Sequence, residues 1–375
     1  MSSGPAARPP AEQVGAPQSA GNLDDALIVS CREQGPTEAN ARGLRRARFS
    51  DKQLTDASVR SLVALAALGR GDRVRAEQLL NVGKPVRSIE ERRLWLAASL
   101  YCACWRQPTL TDEIAQLTQA LGASSTAESV EHAAWAPLAM GCAALAYAEG
   151  LLRAADVGAA RNQLEIVAKG DQLPRGLAVV ARTLLASIEL GVGRSDLALG
   201  HLQVALHASA GLAPEDRLLR LLLIGLLFAE NRRLARAMLD DVVAGRYGAF
   251  GTEQGTLARL CRLLSLIAYQ CPLQLCSTVE LRQDLAWLLG RHASAAWCLL
   301  IVSLVSGALV AADETCEAYD VLIQSAAELR MRHMDGVADL LDRQLATLRG
   351  QLGPDGFEPV LREAQRRRRL RNTKD

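Results

Sequence analysis

Four side chains could hold a zinc ion, Cys261, Cys271, Cys276 and His292, and Pro272 would let the segment loop round so that they converge. Their spacing is not that of a zinc ribbon or finger, so core cysteines with no metal are the expectation. The five histidines, His132, His201, His207, His292 and His333, never fall at a ligand spacing; His201 and His207 are six apart, about 120° round a helix. Cys102 and Cys104, two apart, cannot face one ion from a helix. Gly69-Arg70-Gly71-Asp72 lacks the Lys-Ser/Thr of a phosphate loop and reads as a turn between helices. With no nucleophile elbow, metalloprotease helix or carboxylate pair in a Gly-rich loop, the expectation is a non-enzymatic chain without metal or cofactor.

What remains is charge. The last 15 residues carry seven basic and two acidic side chains, a net +5 that leaves −3 for the rest of a chain whose total is +2. The run Arg366, Arg367, Arg368 and Arg369 has no interleaved aromatics for base stacking and no helix-turn-helix beside it, so any nucleic-acid contact is confined to this tail. A solvated terminus is the plain alternative, and a helix from Glu358 to Arg371 docking on an acidic partner groove is the functional one. Ala293 to Ala312 holds twenty consecutive uncharged residues, the length of a membrane span. Its serines and the hairpin continuation after Glu314 favour a helix buried on all sides, so a membrane anchor is the less favoured expectation. Nine scattered cysteines, an odd number, indicate reduced thiols and a cytoplasmic location.

The elements that must position these groups are helices. Hydrophobic content is 49%, aromatic content only 4%, and strand-type runs are missing. The clearest unit runs from Leu184 to Leu206: an apolar helix ends at Gly191 and Gly193, a polar turn follows, and a second helix puts Ala198, Leu202 and Ala205 on one face. Ser61 to Leu80 repeats the plan with Ala64, Gly71, Ala76 and Leu80. Further pairs are expected at Glu90–Trp105 with Thr111–Leu121, Glu128–Leu152 with Val157–Ala168, and Pro214–Ala229 with Ala235–Val243. Helices then follow at Thr256–Gln270, Thr278–Leu289, Ala293–Val310, Glu314–Arg330 and Asp335–Gly350. The small residue of each second helix recurs at Ala76, Ala115, Ala160, Ala198 and Ala235, at spacings of 39, 45, 38 and 37.

These residues resemble tetratricopeptide repeats, in which small residues let paired helices cross closely and a glycine sits at the turn, and most of all the longer, degenerate arrays of bacterial signalling regulators. The spacing exceeds the family's 34 residues and its aromatic positions hold Leu or Ala. The resemblance implies an all-α fold, a right-handed α-solenoid of stacked antiparallel helix pairs. It implies a non-catalytic scaffold or adaptor that takes a partner peptide or helix on its concave face. Arg60, Arg182, Glu189 and Arg220, polar positions within apolar first helices, are the candidate contacts there, with Arg366 to Arg369 in the tail. The alternative function is a regulatory sensor module whose tail touches nucleic acid, and the third is a membrane-anchored adaptor through 293–312. The expected organisation is a disordered leader at 1–22, a lead-in with an Arg-rich segment at 23–52 and TPR-like repeats at 53–245. Divergent repeats with a capping helix fill 246–352, and a linker with the basic tail fills 353–375.

Overall fold

The computed structural model describes residues 20–34, 40, 43–44, 54, 56–68, 73–82, 89–103, 136–171, 173–210, 213–247, 255–291 and 294–372. The leader before residue 20, most of the Arg-rich segment, the turn at 69–72, Cys104, the expected helix Thr111–Leu121 with Ala115, His132, the glycine-rich stretch 248–254 and His292 lie outside the described residues. Among the described residues all regular structure is helical. The helices are α1 (Ala20–Gln34), α2 (Ala57–Leu68), α3 (Arg73–Asn81), α4 (Ile89–Ala103), α5 (Ala136–Arg153), α6 (Val157–Lys169), α7 (Arg175–Gly191) and α8 (Ser195–Ala208). They continue as α9 (Ala213–Glu230), α10 (Arg232–Val243), α11 (Thr256–Tyr269), α12 (Leu275–Arg291), α13 (Ala295–Ala311), α14 (Thr315–Met331) and α15 (Asp335–Asn372).

Consecutive helices pack in pairs, α2 on α3, α5 on α6, α7 on α8, α9 on α10, α11 on α12 and α13 on α14. The marker alanines explain the closeness. Ala76, Ala160, Ala198 and Ala235 are each fully buried, and the leucine one turn on, Leu80, Leu164, Leu202 or Leu239, is buried beside it; Ala318 and Leu322 of α14 show the same pairing. The turns share one chemistry. At the end of α7, Gly193 takes φ 82°, its N–H donates to the Leu190 carbonyl at 3.0 Å, and the Arg194 N–H donates to Glu189 at 2.8 Å. This closes the helix while satisfying carbonyls that would otherwise lack a partner. Ala155 and Asp313 make the same turn at φ 65° without being glycine. The second helix then starts on a side-chain cap in two pairs: Asp156 accepts from the Ala159 N–H and Asn231 from Leu234, both at 3.0 Å.

The uncharged segment is the centre of the molecule. Of the 17 residues in α13, 14 are buried. The helix packs against α5, α7, α9, α11, α12, α14 and α15, so every side of it meets protein. Its polar atoms are used: Ser294 caps the helix by accepting from Trp297 N–H at 3.1 Å, and Gln344 donates to Ser303 Oγ at 2.7 Å. No described helix is long and apolar enough to cross a membrane. A pair stack with nearest-neighbour contacts alone would not bring α13 onto the first helices α7 and α9. Here it does, and α1 also packs on α7.

Candidate partner-helix site

The basic tail is a helix, and it lies on the chain's own acid. Gly353 (φ 67°) breaks α15, and the residues that follow continue as helix where a linker was expected. Phe357, Val360, Leu361 and Ala364 recur at the i, i+3, i+4, i+7 spacing, so they share a face, and all four pack into the core. The Tyr319 ring meets Phe357 edge-on with centroids 5.3 Å apart, and the Arg349 guanidinium lies 5.2 Å from the other ring's centre. Arg367 and Arg368 extend that stripe by one turn.

Facing them is a row of carboxylates at the start of α14. Glu314 is 5% exposed, and Glu317 and Asp320 are wholly buried. Charges taken out of water this completely need partners. From one side Arg282 of α12 supplies Nε to Glu317 at 2.5 Å, Nη2 to Asp320 at 2.9 Å and Nη1 to Gln324. From the other side Arg368 Nε reaches Asp320 at 2.8 Å and Arg367 Nη1 reaches Glu314 at 3.4 Å. Asp320 is thus held between guanidiniums of two different elements. Arg366 and Arg367 also clamp Glu363 on their own helix, and the Arg366 hydrogen bond, aided by Arg367, holds that carboxyl at about 2.

The four tail arginines therefore divide. Arg367 and Arg368 point into the acidic groove, while Arg366 and Arg369 are exposed, Arg366 bonded to Glu363 at 2.8 Å. The solvated terminus expected for the whole run does not describe Arg367 and Arg368, because buried carboxylates hold them.

The four positions expected on a concave face are spread over three places. Arg182 and Glu189 share one charge cluster between α6, α7 and α8. Glu189 is fully buried, with Arg161 Nε 3.0 Å from one carboxylate oxygen and Arg194 Nε 2.7 Å from the other. Both contacts are at ion-pair distance but off the hydrogen-bonding line. Arg182 donates to the Ala168 carbonyl at 3.3 Å. Between them His201 is held below the usual histidine range, chiefly by desolvation. Arg220 pairs with Asp216 at 2.8 Å and stacks on Tyr247, and Arg60 donates to the Leu54 carbonyl at 2.8 Å. Glu189 joins neighbouring helices and faces no open groove.

Two further buried groups carry charge. Asp284 of α12 is clasped by Arg259 at 2.7 Å and by Arg262, and Arg259 also lies over the Trp287 ring. Glu149 of α5 accepts from the Ala295 N–H at 2.8 Å and from the Ser294 hydroxyl, tying α5 to the start of α13. Desolvation raises its carboxyl above the ordinary range, although Arg153 and these hydrogen bonds pull the other way. Among the described residues no group of three or more His, Cys, Asp or Glu is placed to hold a metal ion. Cys261 is buried, Cys271 half-buried and Cys276 exposed.

Sequence reasoning missed Glu314, Glu317, Asp320 and Arg282, whose only local signal is acid within an apolar helix pattern. The apolar stripe from Phe357 to Ala364 was the available sign that the tail packs. Among known proteins, no family model matches this chain and no curated protein matches it significantly, so the tetratricopeptide resemblance rests on the residues quoted above.

Proposed function

We propose that this protein is a non-catalytic interaction scaffold or adaptor whose partner is a basic amphipathic helix, received by the acidic groove of α12 and α14. One observation carries the reading: the groove already holds such a helix, the chain's own residues 354–372, through buried carboxylates and an apolar stripe. The proposal keeps the right-handed, tetratricopeptide-like solenoid as its architecture. The receiving surface proposed is the C-terminal groove, because α13 packs against the first helices α7 and α9 that would have to line a concave face. The tail then acts as an internal occupant that a partner must displace. The sensor-module alternative, in which the tail contacts nucleic acid, requires Arg367 and Arg368 to leave Glu314 and Asp320 first. A cytoplasmic setting belongs to the same proposal and is supported by eight described cysteines that are all free thiols.

The test uses a labelled peptide with the sequence of 354–372 and two full-length chains, the parent and Arg367→Glu/Arg368→Glu. In the parent the tethered tail competes at an effective concentration on the order of mM. The charge-reversed tail faces buried acid and should vacate the groove. The peptide is expected to bind the variant at least tenfold more tightly than the parent, with a strong salt dependence. Equal binding to both chains, or to neither, overturns the reading.

A further inference from the structure

An open surface depression of about 500 Å³ runs along the start of α10, lined by Arg232, Arg233, Arg236, Ala237 and Asp240 of that helix. Three guanidiniums share it with one carboxylate, Asp240, which also accepts from the Tyr269 hydroxyl and keeps its negative charge. Arg236 donates to the Ala268 carbonyl and lies 6.0 Å from the Tyr269 ring centre. Among the described residues none of the three arginines makes an ion pair, and the Nε atoms of Arg232 and Arg236 are buried without a hydrogen-bond partner.

This placement works against the helix. Arg232 and Arg236 are one turn apart, and Arg233 and Arg236 three residues apart, spacings at which like charges repel. Arg232 and Arg233 sit in the first turn, where the helix dipole is already positive. Elsewhere the chain matches its clustered arginines with acid, Arg220 with Asp216, Arg259 and Arg262 with Asp284, and Arg282 with Glu317 and Asp320. Here three guanidiniums face a single carboxylate, a net excess of two positive charges along a depression that is open to solvent. Guanidinium forks match phosphate oxygens geometrically, and several together discriminate for more than one negative charge.

We propose that the depression at Arg232, Arg233 and Arg236 is a binding site for a small multivalent oxyanion of the phosphate class. The site is separate from the acidic groove, so it stands or falls independently of the partner-helix reading. The test is calorimetric titration of the full chain with inorganic pyrophosphate, against sodium chloride at matched ionic strength. Arg233 is exposed, so Arg233→Gln should fold; Arg362→Gln removes an exposed arginine remote in sequence, one paired with Glu358 at 3.6 Å. Saturable binding at one site per chain is expected, weakened roughly tenfold or more by Arg233→Gln, the loss of a charge-assisted contact, and unchanged by Arg362→Gln. Without anion, Arg233→Gln should melt no lower than the parent, since it relieves repulsion. No saturable heat, no effect of Arg233→Gln, or equal weakening by Arg362→Gln would overturn the site.

Discussion

Removing the Arg368 guanidinium from Asp320 measures how firmly the tail helix is held. Asp320 is wholly buried and accepts from Arg282 at 2.9 Å and from Arg368 at 2.8 Å. A hydrogen bond to a charged group contributes about 1.5–3 kcal/mol. The Arg368 side chain is 35% exposed, and solvent screens part of that, which brings the expectation for Arg368→Ala to about 1–2 kcal/mol. Asp320→Ala should cost more, about 3–4 kcal/mol, because it leaves two guanidiniums facing a vacated buried position. With Asp320 already gone, Arg368→Ala should cost almost nothing, a coupling of about 1–2 kcal/mol. For a chain of 375 residues a unit of that size moves the melting point by only about 1–2 °C, so urea unfolding followed by far-UV circular dichroism is the better assay. A coupling below about 0.5 kcal/mol would refute the claim that this contact holds the helix in place.

Two glycines in helices should respond oppositely to alanine. A Cβ at Gly336 would stand 2.2 Å from the Leu152 carbonyl and 2.5 Å from the Ala155 nitrogen, so Gly336→Ala must push α15 off the end of α5, whereas Gly200 has open space and Gly200→Ala should stabilise by about 0.5–1 kcal/mol; thermal melting of both variants checks this. Two carboxylates should give opposite pH signatures. Glu149 has a raised folded value, so it favours folding fully below the ordinary carboxylate range of about 4.3 and loses that contribution as pH rises through its folded value; stability curves of Glu149→Gln against pH should lack this limb. Glu363, held at about 2, contributes above that range and loses its share as pH falls from about 4.3 to 2; stability curves of Glu363→Gln against pH should lack that acid limb.

The middle of the fold was legible because local chemistry marks it. Gly193 stands at the helix end it was expected to mark, and the alanine and leucine of each described second helix meet the core as their spacing implied. Ala293 to Ala312 was ambiguous for a physical reason, since lipid and protein select the same uncharged surface when a helix is covered on every side. A polar residue in an apolar helix signals a partner without saying where it lies, and Glu189 finds its partners on α6 and in the turn before α8. A helix from Glu358 to Arg371 was legible as the tail's functional reading, but its docking on the chain itself was hidden by Gly353-Pro354-Asp355-Gly356, which reads as a linker, and because the partners of Arg367 and Arg368 lie some fifty positions earlier in the chain. Long-range charge pairing leaves no period to detect.

Hydrogen exchange over residues 354–372 tests the central claim that the basic helix occupies the chain's own acidic groove. In the parent, the amides on the Phe357 to Arg368 stretch should be protected to a degree comparable with α14, and Arg367→Glu/Arg368→Glu should abolish that protection while leaving α7 to α9 unchanged. Rapid exchange of 354–372 in the parent, at the rate of an unstructured chain, would contradict it.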